Sequence, residues 1–235
     1  MIKDTPDGRL LSCAVLVRAG GVLADIGTDH AYLPIFLLKE GRIRRAVLSD
    51  VNEGPLTSAK KNVEDAGLAD RCELVLTDGA AALSGRGITD YAVCGMGGEL
   101  IARIVKEAPD MKREGVRLIL QPMSKRAELR RALYEEGFEI LEEKYSQADG
   151  KHYVAFLAEY TGNTDMPSDE ILELGADTPH PCDGKEYKAF LLNLHRAFLS
   201  IVEGKALAGA RAERERRIAR EIERRLEKLE KGDAL

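Results

Sequence analysis

VLADIGTDHAYLP, residues 22–34, is the stretch on which the reading of this chain turns. VLADI (22–26) is a short apolar run without alternation, the pattern of a strand covered on both faces. It breaks at Gly27, which is bracketed by Asp25 and Asp29, and a helical pattern follows. The same rhythm repeats outward. RAVLSDV (45–51), CELVLTD (72–78), YAVCGM (91–96), RLILQP (117–122) and HYVAFLAEY (152–160) read as strands, with helices expected at about 31–41, 54–67, 97–108 and 124–136. Strands separated by helices imply βαβ units and a largely parallel sheet, an α/β fold of Rossmann-like type.

Beyond residue 160 the composition changes. TGNTDMPSDE reads as a linker, and PHPCDGKE (179–186) as a second break. Tyr187 to Val202 then carries apolar residues every three or four positions, and a turn is expected near Gly204 to Gly209. A charged helix follows from Arg211 to Lys231, with Ile218, Ile222, Leu226 and Leu229 on one face. Two such helices in succession suggest an antiparallel, coiled-coil-like hairpin. The expected division is therefore a catalytic domain over 1–160 and a helical domain over 161–235.

The 235 residues suffice for one full-sized domain with an appendage. No apolar run approaches the roughly 20 residues that span a bilayer, and acids precede the first apolar stretch, which argues against a signal peptide. A cytoplasmic location is expected. Cys13, Cys72, Cys94 and Cys182 are isolated, without a CxxC pair, so no metal site is expected and the thiols read as reduced. The net charge of −5 does not announce a nucleic-acid binder, although a total can hide a local basic face.

In an open parallel sheet, ligands bind beyond the carboxyl ends of the strands. Strand one ends in Asp25-Ile26-Gly27-Thr28-Asp29-His30. A dinucleotide site would carry GxGxxG here to receive a pyrophosphate. Acids repel pyrophosphate but suit the sulfonium and ammonium of S-adenosylmethionine. Asp50, ending strand two, sits where an acid takes ribose hydroxyls. Asp78-Gly79, after strand three, offers a carboxylate to the exocyclic amine of adenine. Cys94-Gly95-Met96-Gly97-Gly98 leaves bare backbone for a flat base or the transferring methyl.

ADIGTDHAYLP (24–34), DVNEGPLTSAKKNVEDAGL (50–68), CGMGG (94–98) and LILQP (118–122) together resemble the TrmK family, the bacterial tRNA (adenine-22-N1)-methyltransferases. The likeness runs in order over roughly residues 9–160. It implies a class I methyltransferase sheet, S-adenosylmethionine as donor and tRNA as partner. By position, Asp25, Gly27, Asp29, His30 and Gly95 would line the donor site, Asp50 with Val51 would hold the ribose, and Asp78 with Gly79 the adenine. Gly95, Met96, Gly97 and Gly98 would floor the base pocket. Asp29 and His30 would lie beside the transferring methyl, with Gln121 and Pro122 on the facing wall.

Phosphates require cations. Arg103, Lys112, Arg113, Lys125, Arg126 and Arg130 follow strands four and five and are the expected RNA-facing group. The arginines of the last helix are interleaved with glutamates and read as partly self-neutralised. Other readings stay open: a methyltransferase for a small molecule or protein with the helices as lid or dimerisation element, a dehydrogenase, and a non-catalytic tRNA-binding protein. The oligomeric state is likewise open, a monomer being the simpler expectation.

Overall fold

The computed structural model describes residues 6–176 and 184–231; Cys182 and part of the expected second break lie outside them. The elements run α1 (Gly8–Leu16), β1 (Gly21–Ile26), α2 (Tyr32–Lys39), β2 (Ile43–Asp50), α3 (Glu53–Asp65), β3 (Cys72–Leu76), β4 (Asp90–Gly97), α4 (Gly98–Lys106), β5 (Arg117–Ser124), α5 (Arg126–Glu135), β6 (Phe138–Ala148), β7 (Lys151–Tyr160), α6 (Asp169–Leu174), α7 (Gly184–Leu207) and α8 (Glu213–Lys231).

One seven-stranded sheet is ordered β3-β2-β1-β4-β5-β7-β6. The first five strands are parallel and β7 runs antiparallel to both β5 and β6. Strand order reverses at β1, which pairs with β2 on one side and β4 on the other. A crevice opens beyond the strand ends at such a reversal. All six residues of β1 are buried, and they divide between two faces as strand geometry requires. Leu23 joins the layer formed with α1, α2 and α3. Val22, Ala24 and Ile26 join the opposite layer, where α4, α5, α7 and α8 pack.

The second layer runs without interruption past residue 160. Tyr187, Phe190, Leu191, Leu194 and Phe198 of α7 and Ile218, Ala219 and Ile222 of α8 share one apolar cluster with Val154 and Phe156 of β7. The α7–α8 register is antiparallel: Lys188 pairs with Glu230, His195 with Glu223 and Lys205 with Glu215. Helix α7 continues to Leu207, through the first part of the expected turn.

Three elements depart from the sequence reading. Helix α1 starts at the cap Asp7, whose side chain accepts from Leu10 N at 2.9 Å, and buries Ser12, Cys13, Ala14 and Leu16. Strand β6 is an edge strand with only Phe138, Tyr145 and Ser146 fully buried, so its charged sequence did not read as a strand. Helix α6 occupies part of the expected linker, capped by Ser168. Two buried arginines hold it. Arg130 donates to the carbonyls of Leu172 and Glu173, and Arg225 to those of Gly175 and Ala176.

Candidate active site

The ends of β1 and β4 and the N-termini of α1 and α2 enclose a cleft of about 290 Å³. It is lined by Arg9 and Leu10, by Asp25 and the run Gly27 to His30, by Tyr32 and Leu33, and by Cys94, Gly95 and Met96. Asp25, Gly27, Asp29, His30, Gly95 and Met96 were expected from the sequence. Arg9, Thr28 and Tyr32 were not.

Asp25 is 7% exposed. Burial pushes its carboxyl up to about 6; the 2.7 Å hydrogen bond from Thr28 Oγ1 opposes this, and the charge of Asp50 adds to it. An acid removed from water without a cation beside it favours a positively charged ligand. Gly27 has φ +71°, and a Cβ there would lie 2.0 Å from Met96 Cε, so two independent constraints demand glycine. Asp29 and Ala31 also sit in the left-handed region, at φ 41° and 56°. This turn brings the His30 and Tyr32 rings to 5.2 Å between centroids. His30 Nε2 lies 3.6 Å from Asp29 Oδ2, and its carbonyl accepts from Asn62 Nδ2 on α3.

Gln121 is fully buried, which alters its expected role. Its Oε1 accepts from Arg9 Nη1 at 2.9 Å and Gly95 N at 3.1 Å, and its Nε2 donates to Pro122 O at 2.9 Å. Gln121 therefore ties α1, the β4 turn and the β5 end together and has no face for a base. Pro122 is buried beside it. The glycines of the turn divide as well. Gly97 has an ordinary φ of −66°, and a Cβ on it would meet Ser124 Oγ at 3.5 Å. A Cβ on Gly98 would strike Lys125 O at 2.2 Å, so Gly98 is required by backbone packing and not by ligand space.

Asp50, Val51, Asp78 and Gly79 lie outside the cleft lining, along the neighbouring strand ends. Asp50 Oδ1 accepts from Asn52 N at 2.9 Å. β3 ends at Leu76, two residues short of Asp78, which is exposed and faces Arg103 at 3.4 Å. Among the described residues no group of three or more His, Cys, Asp or Glu is placed to hold a metal ion.

The donor set fits S-adenosylmethionine. Asp25 and Asp29 can face its ammonium and sulfonium, Asp50 its ribose, and a bare turn leaves room for its methyl. A methyltransferase-domain family model matches residues 7–156. The chain is 34% identical over 184 residues to the tRNA (adenine(22)-N(1))-methyltransferase of Bacillus subtilis (strain 168), covering 78% of this chain and 77% of that protein. It belongs to the tRNA (adenine(22)-N(1))-methyltransferase family. The solved Bacillus subtilis m1A22 tRNA methyltransferase TrmK superposes with a TM-score of 0.75 at 28% identity, over 97% of this chain and 99% of that one. The Streptococcus pneumoniae protein Sp1610, solved in complex with S-adenosyl-L-methionine, gives 0.76 at 32% identity, over 96% and 100%.

For a chain of this methyltransferase family, the cations expected to meet phosphate need correction. Arg130 is 1% exposed, holds Glu143 through Nε at 2.7 Å and Nη2 at 3.0 Å, and lies over the Phe156 ring. No phosphate can reach it. Arg126 is half-buried over Phe190. Lys112 pairs with Glu136 at 2.7 Å, and Arg113 with Asp110 at 3.7 Å. Both precede β5, at the opposite end of the sheet from the cleft. Arg103 is paired with Asp78 and Glu107, and Lys125 with Glu128. Only Arg103 and Lys125 remain exposed near the strand ends. On α8, Arg214, Arg217 and Arg224 hold carboxylates. Arg211, Arg216 and Arg220 are exposed, with no carboxylate in ion-pair range among the described residues.

Proposed function

We propose that this protein transfers a methyl group from S-adenosylmethionine to N1 of adenine 22 in tRNA. The observation that carries the reading is the buried, uncompensated acid Asp25 at the β1 switch point, in a chain whose curated relative performs this reaction. When bound, S-adenosylmethionine supplies an electrophilic methyl on a positively charged sulfur. Adenine N1 has an in-plane lone pair and no proton at neutral pH, so it attacks without a general base. The side chains' task is alignment and a field that tolerates a cationic product. Asp25 and Asp29 furnish that field, and Asp50 holds the ribose. The Gly95–Gly97 backbone, braced by Gln121, presents the base.

N1 lies on the Watson–Crick edge, so the adenine must leave any stack or pair before it enters the cleft. The exposed cations Arg103 and Lys125, with Arg211, Arg216 and Arg220 on the hairpin, are the proposed phosphate contacts. Residues 161–235 then serve as the RNA-holding unit of a catalytic sheet over 1–160. Location in the cytoplasm accords with this substrate; among the described residues no helix is long and apolar enough to cross a membrane. Labelled methyl transfer tests the reading against a small-molecule or protein methyltransferase. Unmodified tRNA should accept label, and small amines and bulk protein should not. Label on either of the latter with none on tRNA would overturn it.

A further inference from the structure

The cleft has an unmatched positive group. Among the described residues that line it, Arg9 is the one lysine or arginine, set against the acids Asp25 and Asp29. Its side chain is 20% exposed. Nη1 is anchored on Gln121 Oε1, which also receives Gly95 N, so the guanidinium is fixed beside the β4 turn by a buried amide. Its one carboxylate neighbour is weakly placed: Asp7 Oδ2 stands 3.8 Å from Nη2, while Asp7 Oδ1 caps α1. The donors on Nη2 and Nε are therefore available to an anion in the cleft. Arg9 and Asp25 also act on the same thiol, since Arg9 favours the Cys94 thiolate and Asp25 disfavours it. A positive and a negative group thus stand within reach of one point on the cleft wall.

We infer that Arg9 binds the α-carboxylate of the donor's methionyl tail, with Asp25 on the ammonium, and that Gln121 positions Arg9 for this. The inference rests on the S-adenosylmethionine reading. An amino-acid tail carries one cation and one anion on a single carbon, and the cleft presents the complementary pair. Guanidinium geometry matches a carboxylate with two parallel hydrogen bonds, which a lysine cannot reproduce.

Calorimetric titration of the full chain separates the possibilities. The probes are S-adenosylmethionine and its decarboxylated form, which retains adenosine, sulfonium and amine and lacks only the carboxylate. Wild-type protein should prefer the carboxylated donor. Arg9→Ala should weaken that donor roughly tenfold or more, the scale of a charge-assisted pair, and bind the decarboxylated form as wild type does. Arg9→Gln, which keeps a donor toward Gln121, should lose the preference equally and guards against a folding defect. Equal loss for both probes would mean that Arg9 acts only through α1 packing and would overturn the assignment. Unchanged donor affinity with a raised KM for tRNA would place a phosphate there instead. Wild-type protein that binds neither probe would sink the donor reading itself.

Discussion

Burial of Asp25 links donor binding to a proton. The unfolded carboxyl ionises near 3.8 and the folded one near 6, so the empty folded protein binds more protons between those values. The resulting stability is fully present below pH 3.8 and is lost as pH rises through 6. A cationic ligand favours the ionised form, so donor affinity should fall as pH drops below about 6, approaching tenfold per pH unit. In Asp25→Asn the donor should bind weakly and without this pH dependence, and the empty protein should gain roughly 1–3 kcal/mol at neutral pH. Calorimetry at a series of pH values checks the first claim, and denaturant unfolding the second. A wild-type affinity flat from pH 5 to about 8, well either side of the shifted carboxyl, would contradict the assignment. The turn glycines give a second contrast. Gly98→Ala should cost about 1–3 kcal/mol through overpacking. Gly97→Ala should fold and bind donor normally yet methylate tRNA poorly, because its Cβ enters the space beside Ser124. Normal methylation by Gly97→Ala would remove the residue from the base site.

Elements were legible wherever burial leaves a mark on composition. β1 and β4, covered on both faces, read directly from apolar runs, and α7 and α8 from their three- and four-residue spacing. β6 was not legible, because an edge strand with one exposed side can carry Glu142, Glu143 and Lys144. The acids after β1 and β2 were found because chain order places strand ends together. Arg9 was missed because α1 reaches the cleft only through tertiary packing. The basic group failed for the same reason, since α4 carries the chain away from the cleft before Lys112 and Arg113. Arg130 illustrates the difference between a charge in sequence and one in structure. Arg130→Ala would strand Glu143 in the core and should cost about 3–5 kcal/mol, the typical penalty for breaking a buried pair. Urea unfolding measures it. A loss below about 1 kcal/mol would mean that the pair is solvated as surface pairs are.

Taken as a whole, the molecule carries net charge −5 and still has to hold a polyanion. Its paired cations cannot account for this, so the exposed arginines of α8 should. Removing Arg216 and Arg220 together should flatten the dependence of log tRNA affinity on log salt by somewhat under one unit per contact, with donor affinity unchanged. Removing Lys112 and Arg113, at the far end of the sheet, should leave the slope as it is. The reverse result would return RNA to the α4–β5 side.

The most direct test of the central claim is the position and identity of the modified base. Unmodified tRNA is incubated with the protein and S-adenosylmethionine, then digested and mapped by mass spectrometry. The expected product is a single 1-methyladenosine at position 22, absent when that adenine is replaced by guanine. Methylation at another position, at another atom of the base, or none at all with donor bound would contradict it.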